Sequence, residues 1–178
     1  MFIQSAVHFV NYFGLDGIDL DWELNDVPTN PLDKEHFSLL MSGMGEEFKK
    51  HDPPYLLTFS ATADPYKANN AYYLEEVHPH IDWINVMTYN YHGAWENFTG
   101  IDQPLYGKWE ESFIPAYYQS NVNDTIQYYI EGGVPPEKLV LGVLVTMVFD
   151  SGAPLVRRWN GYVPSSKSTP VTPVTPVQ

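Results

Sequence analysis

Four carboxylates stand within eight residues, Asp16-Gly17-Ile18-Asp19-Leu20-Asp21-Trp22-Glu23, in a stretch whose other members are apolar or glycine. Strand side chains alternate with period two, so Asp19, Asp21 and Glu23 project to one face with Gly17, while Ile18, Leu20 and Trp22 project to the other. At a rise of roughly 3.3 Å per residue, neighbouring acids on that face are about 7 Å apart, close enough to influence each other's protonation. Burying such a row is costly unless the acids hydrogen-bond together, bind a cation or carry out acid and base chemistry. A merely solvated face would tolerate Lys or Ser in any order and would not be backed by an Ile, Leu, Trp row suited to packing under helices. A calcium loop fits poorly, because an EF-hand is a flexible turn with a set glycine and a closing Glu, whereas this segment has the period of a strand.

The flanking sequence supplies the elements such a row requires. Phe2, Ala6, Phe9, Val10 and Phe13 recur at helical spacing and lead through Gly14 into the acidic strand. After a loop at 28–31, Phe37, Leu40, Met41, Met44 and Phe48 predict a second helix behind an Asp33 cap. A strand is predicted over 55–61, a short helix over 70–77 and another strand over 81–89, followed by a long loop rich in Gly, Asn and aromatics. Asn123 caps a helix carrying Ile126, Tyr129 and Ile130 that ends at Gly132-Gly133, and 138–144 reads as a fourth strand. Strands alternating with helices of these lengths imply βαβ units and a parallel sheet.

Net charge is −13, from nine basic and twenty-two acidic residues, and no Lys or Arg cluster offsets it. Such a chain repels phosphates, so nucleic acid is excluded as a partner, whereas a neutral polysaccharide tolerates the charge. The longest apolar runs fall far short of the about 20 residues a membrane helix needs, and the first residues lack the pattern of a signal peptide. With no cysteine, disulfide and thiol chemistry are absent. His78-Pro79-His80 reads as a surface turn, since no third ligand lies near in sequence. No cofactor or metal is expected. Asn97-Phe98-Thr99 and Asn123-Asp124-Thr125 match the glycosylation pattern, a weak signal.

The acidic strand resembles the Asp-Gly-x-Asp-x-Asp-x-Glu motif of glycoside hydrolase family 18, the chitinases and their chitin-binding relatives. A second block, Met87-Thr88-Tyr89-Asn90-Tyr91-His92-Gly93-Ala94-Trp95, is similar to the family's Met-x-Tyr-Asp segment. A third, Gly133-Val134-Pro135-Pro136-Glu137-Lys138-Leu139-Val140-Leu141-Gly142, resembles the approach to the seventh barrel strand. The resemblance implies an α/β fold, a partial (β/α)₈ TIM barrel covering the fourth to seventh strands within residues 1–145. A complete barrel typically takes ~250 residues, more than the 178 here. Residues 146–164 diverge from the family. The stretch 165–178, with Thr-Pro-Val three times in succession, is extended, packing-poor and expected to be disordered.

The same resemblance implies catalytic and substrate-binding roles. Glu23, the last acid on the row, is the proton donor, Asp21 orients the substrate's N-acetyl group, and Asp19 shares a proton with Asp21. Tyr89 and Met87 line the cleft, and Trp95 stacks on a sugar ring. Asn90 departs from the usual Asp, keeping hydrogen-bonding capacity while losing charge. The implied activity is retaining, substrate-assisted hydrolysis of β-1,4-linked N-acetylglucosamine in chitin or chito-oligosaccharides, acting extracellularly. A catalytically silent chitin-binding lectin of the same fold and an endo-β-N-acetylglucosaminidase stand as alternatives.

Overall fold

The computed structural model describes residues 1–22, 32–92, 101–107 and 121–143. In chain order these form α1 (Phe2–Phe13), β1 (Gly17–Asp21), α2 (Asp33–Phe48), β2 (Leu56–Thr62), α3 (Pro65–Ala71), α4 (Leu74–Val77) with a 3₁₀ turn at His78–His80, β3 (Trp83–Met87), α5 (Val122–Glu131) and β4 (Leu139–Leu141). All strand pairs are parallel, and spatial order follows chain order, β1-β2-β3-β4. Right-handed crossovers that always advance in one direction lay every helix on the same side of the sheet. A doubly wound sheet would reverse order partway, so this is an arc of a (β/α)₈ barrel, with helices outside and the other face inward.

Alternation along each strand sorts residues between the two faces. Leu57, Phe59 and Ala61 of β2 and Ile84 and Val86 of β3 are buried under the helices with Phe37, Met41, Met44 and Phe48 of α2. Ile18 and Leu20 of β1 pack on the same cluster, and Trp22 reaches it through Phe37, ring centroids 6.1 Å apart. Phe37, Phe59 and Tyr72 meet pairwise at 5.2–5.3 Å, an aromatic knot joining α2, β2 and the end of α3. Tyr129 of α5 is fully buried and donates to the Thr62 carbonyl at 2.7 Å, tying that helix to the end of β2. The chain leading into β4 is fixed by Lys138, whose Nζ donates to the carbonyls of His78 and Ile81, both at 2.7 Å.

Several expectations need correction. Only Ala6 and Val10 of the expected α1 face are buried; Phe2, Phe9 and Phe13 are 57%, 51% and 58% exposed, because α2 and the sheet meet one narrow stripe of the helix. Leu32, not Asp33, holds the cap position of α2, and Asp33 falls in the first turn, where an acid suits the helix dipole. The helix expected over 70–77 is two, broken at Tyr72-Tyr73; the first starts earlier, with Asp64 accepting from the N–H groups of Tyr66 and Lys67 and Pro65 opening the helix. Asn121 rather than Asn123 caps α5, accepting from the Asp124 N–H at 3.0 Å. β3 stops at Met87, since Thr88 N–H turns back to Val86 C=O and Tyr89 N–H to Met87 C=O, and β4 is only three residues long.

Gly17, within the acidic motif, has a steric role. A Cβ there would stand 2.0 Å from the Leu56 carbonyl oxygen, and Leu56 N–H also donates to the Asp16 carbonyl at 2.9 Å, so β1 and β2 are pinned at this point. Backbone cannot move aside as a flexible side chain would. Gly17→Ala is therefore expected to cost about 1–3 kcal/mol in a folded barrel, at the level of overpacked cores. Urea unfolding measures it, and an unchanged midpoint would mean that the strand entry is slack.

Candidate active site

Asp19 is the most heavily bonded acid of the row among the described residues. Thr58 Oγ1 and Asn85 Nδ2 donate to its Oδ1 at 2.5 and 2.7 Å, and Ser60 Oγ donates to its Oδ2 at 2.9 Å. These donors come from β2 and β3 and stand on the inner face because the parallel register pairs Asp19 with Thr58 and Ser60 with Asn85. Asn85 is itself oriented: the Trp83 indole N–H donates to its Oδ1 at 3.0 Å, leaving Nδ2 for the carboxylate. Three donors around one carboxylate hold it rigid.

Asp21, two residues on, closes β1 opposite Ser60 and is exposed, with no hydrogen bond to it among the described residues. It thus lies at the carboxyl end of the sheet, where parallel barrels carry their chemistry. Met87 ends β3 on the same inner face, paired with Thr62. Tyr89 lies beyond the strand and is half-buried. Its ring lies against Gly142, where a Cβ would be 3.1 Å from Tyr89 Cε1 and 2.8 Å from the Val86 carbonyl oxygen. The residue after β4 must therefore be small for the tyrosine to stand where it does. Glu23 and Trp95, assigned as acid and stacking residue, lie outside the described residues, as do the Asn97 sequon and the 146–164 and 165–178 segments.

Segment 101–107 runs beside the end of β3 and is firmly anchored. Gln103 Nε2 donates to Thr88 Oγ1 at 2.9 Å and to the Gly142 carbonyl at 2.7 Å, while the N–H groups of Val122 and Asn123 donate to the Pro104 and Leu105 carbonyls. Behind it Tyr91 O–H donates to Thr125 Oγ1 at 2.8 Å, and Thr125 donates onward to the Ala63 carbonyl at 2.7 Å. Burial pushes the Tyr91 hydroxyl up to about 12, so it remains a neutral donor through the working range. Thr125, part of the second glycosylation match, is thus engaged in the core. The anchored segment brings Asp102 to Asn90, whose Nδ2 donates to Asp102 Oδ2 at 3.0 Å. Burial pushes the Asp102 carboxyl above its usual range, while the Asn90 hydrogen bond and nearby His92 pull it back.

Sequence reading singled out Asp19, Asp21, Met87, Tyr89 and Asn90, and the fold brings all five to the inner face or carboxyl edge of the sheet. It passed over Thr58, Ser60, Asn85 and Asp102. The first two carry a signal in retrospect, polar residues at period two within the apolar strand Leu56–Thr62. A cavity of about 630 Å³ lined by Glu35, Ser38, Tyr73, Glu76 and His80 lies on the helical side of the sheet, away from these groups. Its volume does not make it the reaction centre, because none of the inner-face acids reaches it.

Comparison with known proteins accords with this geometry. Residues 1–153 match the family model described as glycosyl hydrolases family 18. Chitinase 1 of Aphanocladium album is 36% identical over 148 residues, covering 80% of this chain and 33% of that protein. The Ostrinia furnacalis Group IV chitinase, solved in complex with allosamidin, superposes with a TM-score of 0.72 at 38% identity, covering 80% of this chain and 38% of the other. Human YKL-39, described as a pseudo-chitinase with retained chitooligosaccharide binding, gives 0.69 at 30% identity over 79% of this chain and 39% of its own. Spanning about a third of the length of such relatives and carrying the acidic strand on the inner face of its barrel arc, the chain belongs to glycosyl hydrolases family 18.

Proposed function

We propose that this chain is the catalytic arc of a chitinase, hydrolysing β-1,4 linkages between N-acetylglucosamine units with retention at the anomeric carbon. The observation that carries the reading is the acidic row on the inner face: Asp19 clamped by three donors, then exposed Asp21 at the sheet's carboxyl edge, with Glu23 next in the alternation. In this reading Glu23 protonates the leaving oxygen. The substrate's acetamido oxygen attacks the anomeric carbon in place of an enzyme carboxylate, the substrate-assisted exception among glycosidases. Asp21 orients and stabilises that acetamido group and shares a proton with Asp19, whose fixed position sets where Asp21 can lean. Water then opens the cyclic intermediate from the face the leaving group vacated, giving its proton to the Glu23 carboxylate and so restoring the acid. Tyr89, Met87 and Asn90 line the cleft, and Trp95 stacks on a sugar ring.

In this reading the enzyme acts outside the cell, as the family resemblance implies. The rival reading is a silent chitin-binding lectin, favoured by the departure at Asn90 and disfavoured by retention of Glu23. Proton NMR of chito-oligosaccharide cleavage by the complete barrel decides between them. The first-formed reducing end is expected as the β anomer; an initial α anomer would overturn the retaining route, and binding without cleavage would make the protein a lectin.

A further inference from the structure

An amide has an acceptor end and a donor end, and which one faces a substrate depends on what holds the other. Asn90 is exposed just beyond β3, next to half-buried Tyr89, and its Nδ2 is committed to Asp102 Oδ2 at 3.0 Å. A carboxylate only accepts, so the amide cannot turn its oxygen toward Asp102 without setting two acceptors against each other. We propose that Asp102 is a positioning residue that fixes the Asn90 amide so that Oδ1 is presented to the cleft as an acceptor for a sugar hydroxyl. The inference rests on the reading of Asn90 as a substrate-binding residue.

Three features make Asp102 fit for this. Its backbone is held, since Tyr91 N–H donates to its carbonyl at 3.1 Å and neighbouring Gln103 is tied to Thr88 and Gly142. Its second oxygen, Oδ1, is buried and has no hydrogen-bond partner among the described residues, so the bond from Asn90 is not in competition with solvent on that side. Burial raises the Asp102 carboxyl, and the Asn90 hydrogen bond and neighbouring His92, through its imidazole and its backbone N–H, act against that rise. The protein already uses this device once. Asn85 is fixed with Nδ2 toward Asp19 and Oδ1 toward the Trp83 indole N–H by the same donor and acceptor matching.

The test compares wild type, Asn90→Asp, Asp102→Asn and the double exchange Asn90→Asp with Asp102→Asn, each in the complete barrel, by KM and kcat for chito-oligosaccharides across pH. Asn90→Asp sets two carboxylates about a hydrogen bond apart, so KM is expected to rise about tenfold above the pH at which they give up a shared proton, and to recover below it. Asp102→Asn allows either end of either amide to pair, so KM should rise about two- to threefold without that pH dependence, because Oδ1 faces the cleft for only part of the time. The double exchange reverses donor and acceptor across the same bond, again leaves an acceptor facing the cleft, and should restore KM to near the wild-type value. A double exchange no better than Asn90→Asp, or an Asn90→Asp variant with wild-type KM at all pH values, would overturn the proposal. Carboxyl carbon NMR of Asn90→Asp separates this from failure of the chitinase reading, as it needs no substrate. Coupled titration of the two groups, one displaced upward, supports the pairing even in a protein that does not bind chito-oligosaccharides, and independent titrations refute it.

Discussion

Replacing Glu23 by Gln in the complete barrel is expected to lower turnover of chito-oligosaccharides by about 100- to 10,000-fold, the usual contribution of a positioned general acid, while leaving their affinity nearly unchanged. Gln is close to Glu in shape and retains an acceptor, so contacts to bound sugar survive; what it lacks is a carboxyl proton for the leaving oxygen. The placement follows from the residues before it. Asp19 is fixed on the inner face by Thr58, Ser60 and Asn85, and Asp21 ends β1 at the carboxyl edge, two positions before Glu23 in the sequence, which is what supports the proposed role. Hydrolysis assays paired with binding titrations read the two effects separately. A loss of turnover with an equal loss of affinity would mark Glu23 as a binding residue, and undiminished turnover would remove it from the chemistry.

The second large effect concerns residues 1–178 expressed alone, which are expected to self-associate and to show no chitin hydrolysis above background. Among the described residues nothing pairs with the outer edge of β1 or of β4, and open parallel edges are templates for further pairing. The outer side of α1 compounds this, with Phe2, Phe9, Tyr12 and Phe13 all more than half exposed, a contiguous aromatic surface of the kind that seeks cover. The inner face is equally open: Asp19 is exposed and its donors Ser60 and Asn85 are half-exposed where a closed barrel would shield them, although Thr58 is buried. Supplying the remaining barrel strands as one polypeptide should restore both solubility and hydrolysis. Sedimentation and cleavage of chitotetraose measure the outcome, and a monomeric, cooperatively unfolding 178-residue protein that cleaves the tetramer would show that four strands suffice.

The facing of the acidic row was legible in the sequence because it depends on one strand's own geometry: alternation puts Asp19 and Asp21 opposite Ile18 and Leu20 whatever surrounds them. The strand and helix order was legible for a similar reason, since apolar periods of two and of three to four are local signals. Helix starts were less so. Asp64 and Asn121 took the caps because their own backbones adopt the extended geometry a cap needs, which residue type alone does not reveal. The partners of Asp19 lie 39, 41 and 66 positions away, and only strand register brings them together. Asp102 is twelve positions from Asn90, in a segment, 101–107, held by anchors on Thr88, Gly142 and α5. The sequence by itself determined which acids face inward and which end of the sheet they approach. Tertiary structure decided which donors hold them and which end of the Asn90 amide meets Asp102, because hydrogen-bond pairing between distant strands and loops depends on register and anchoring rather than on any local period.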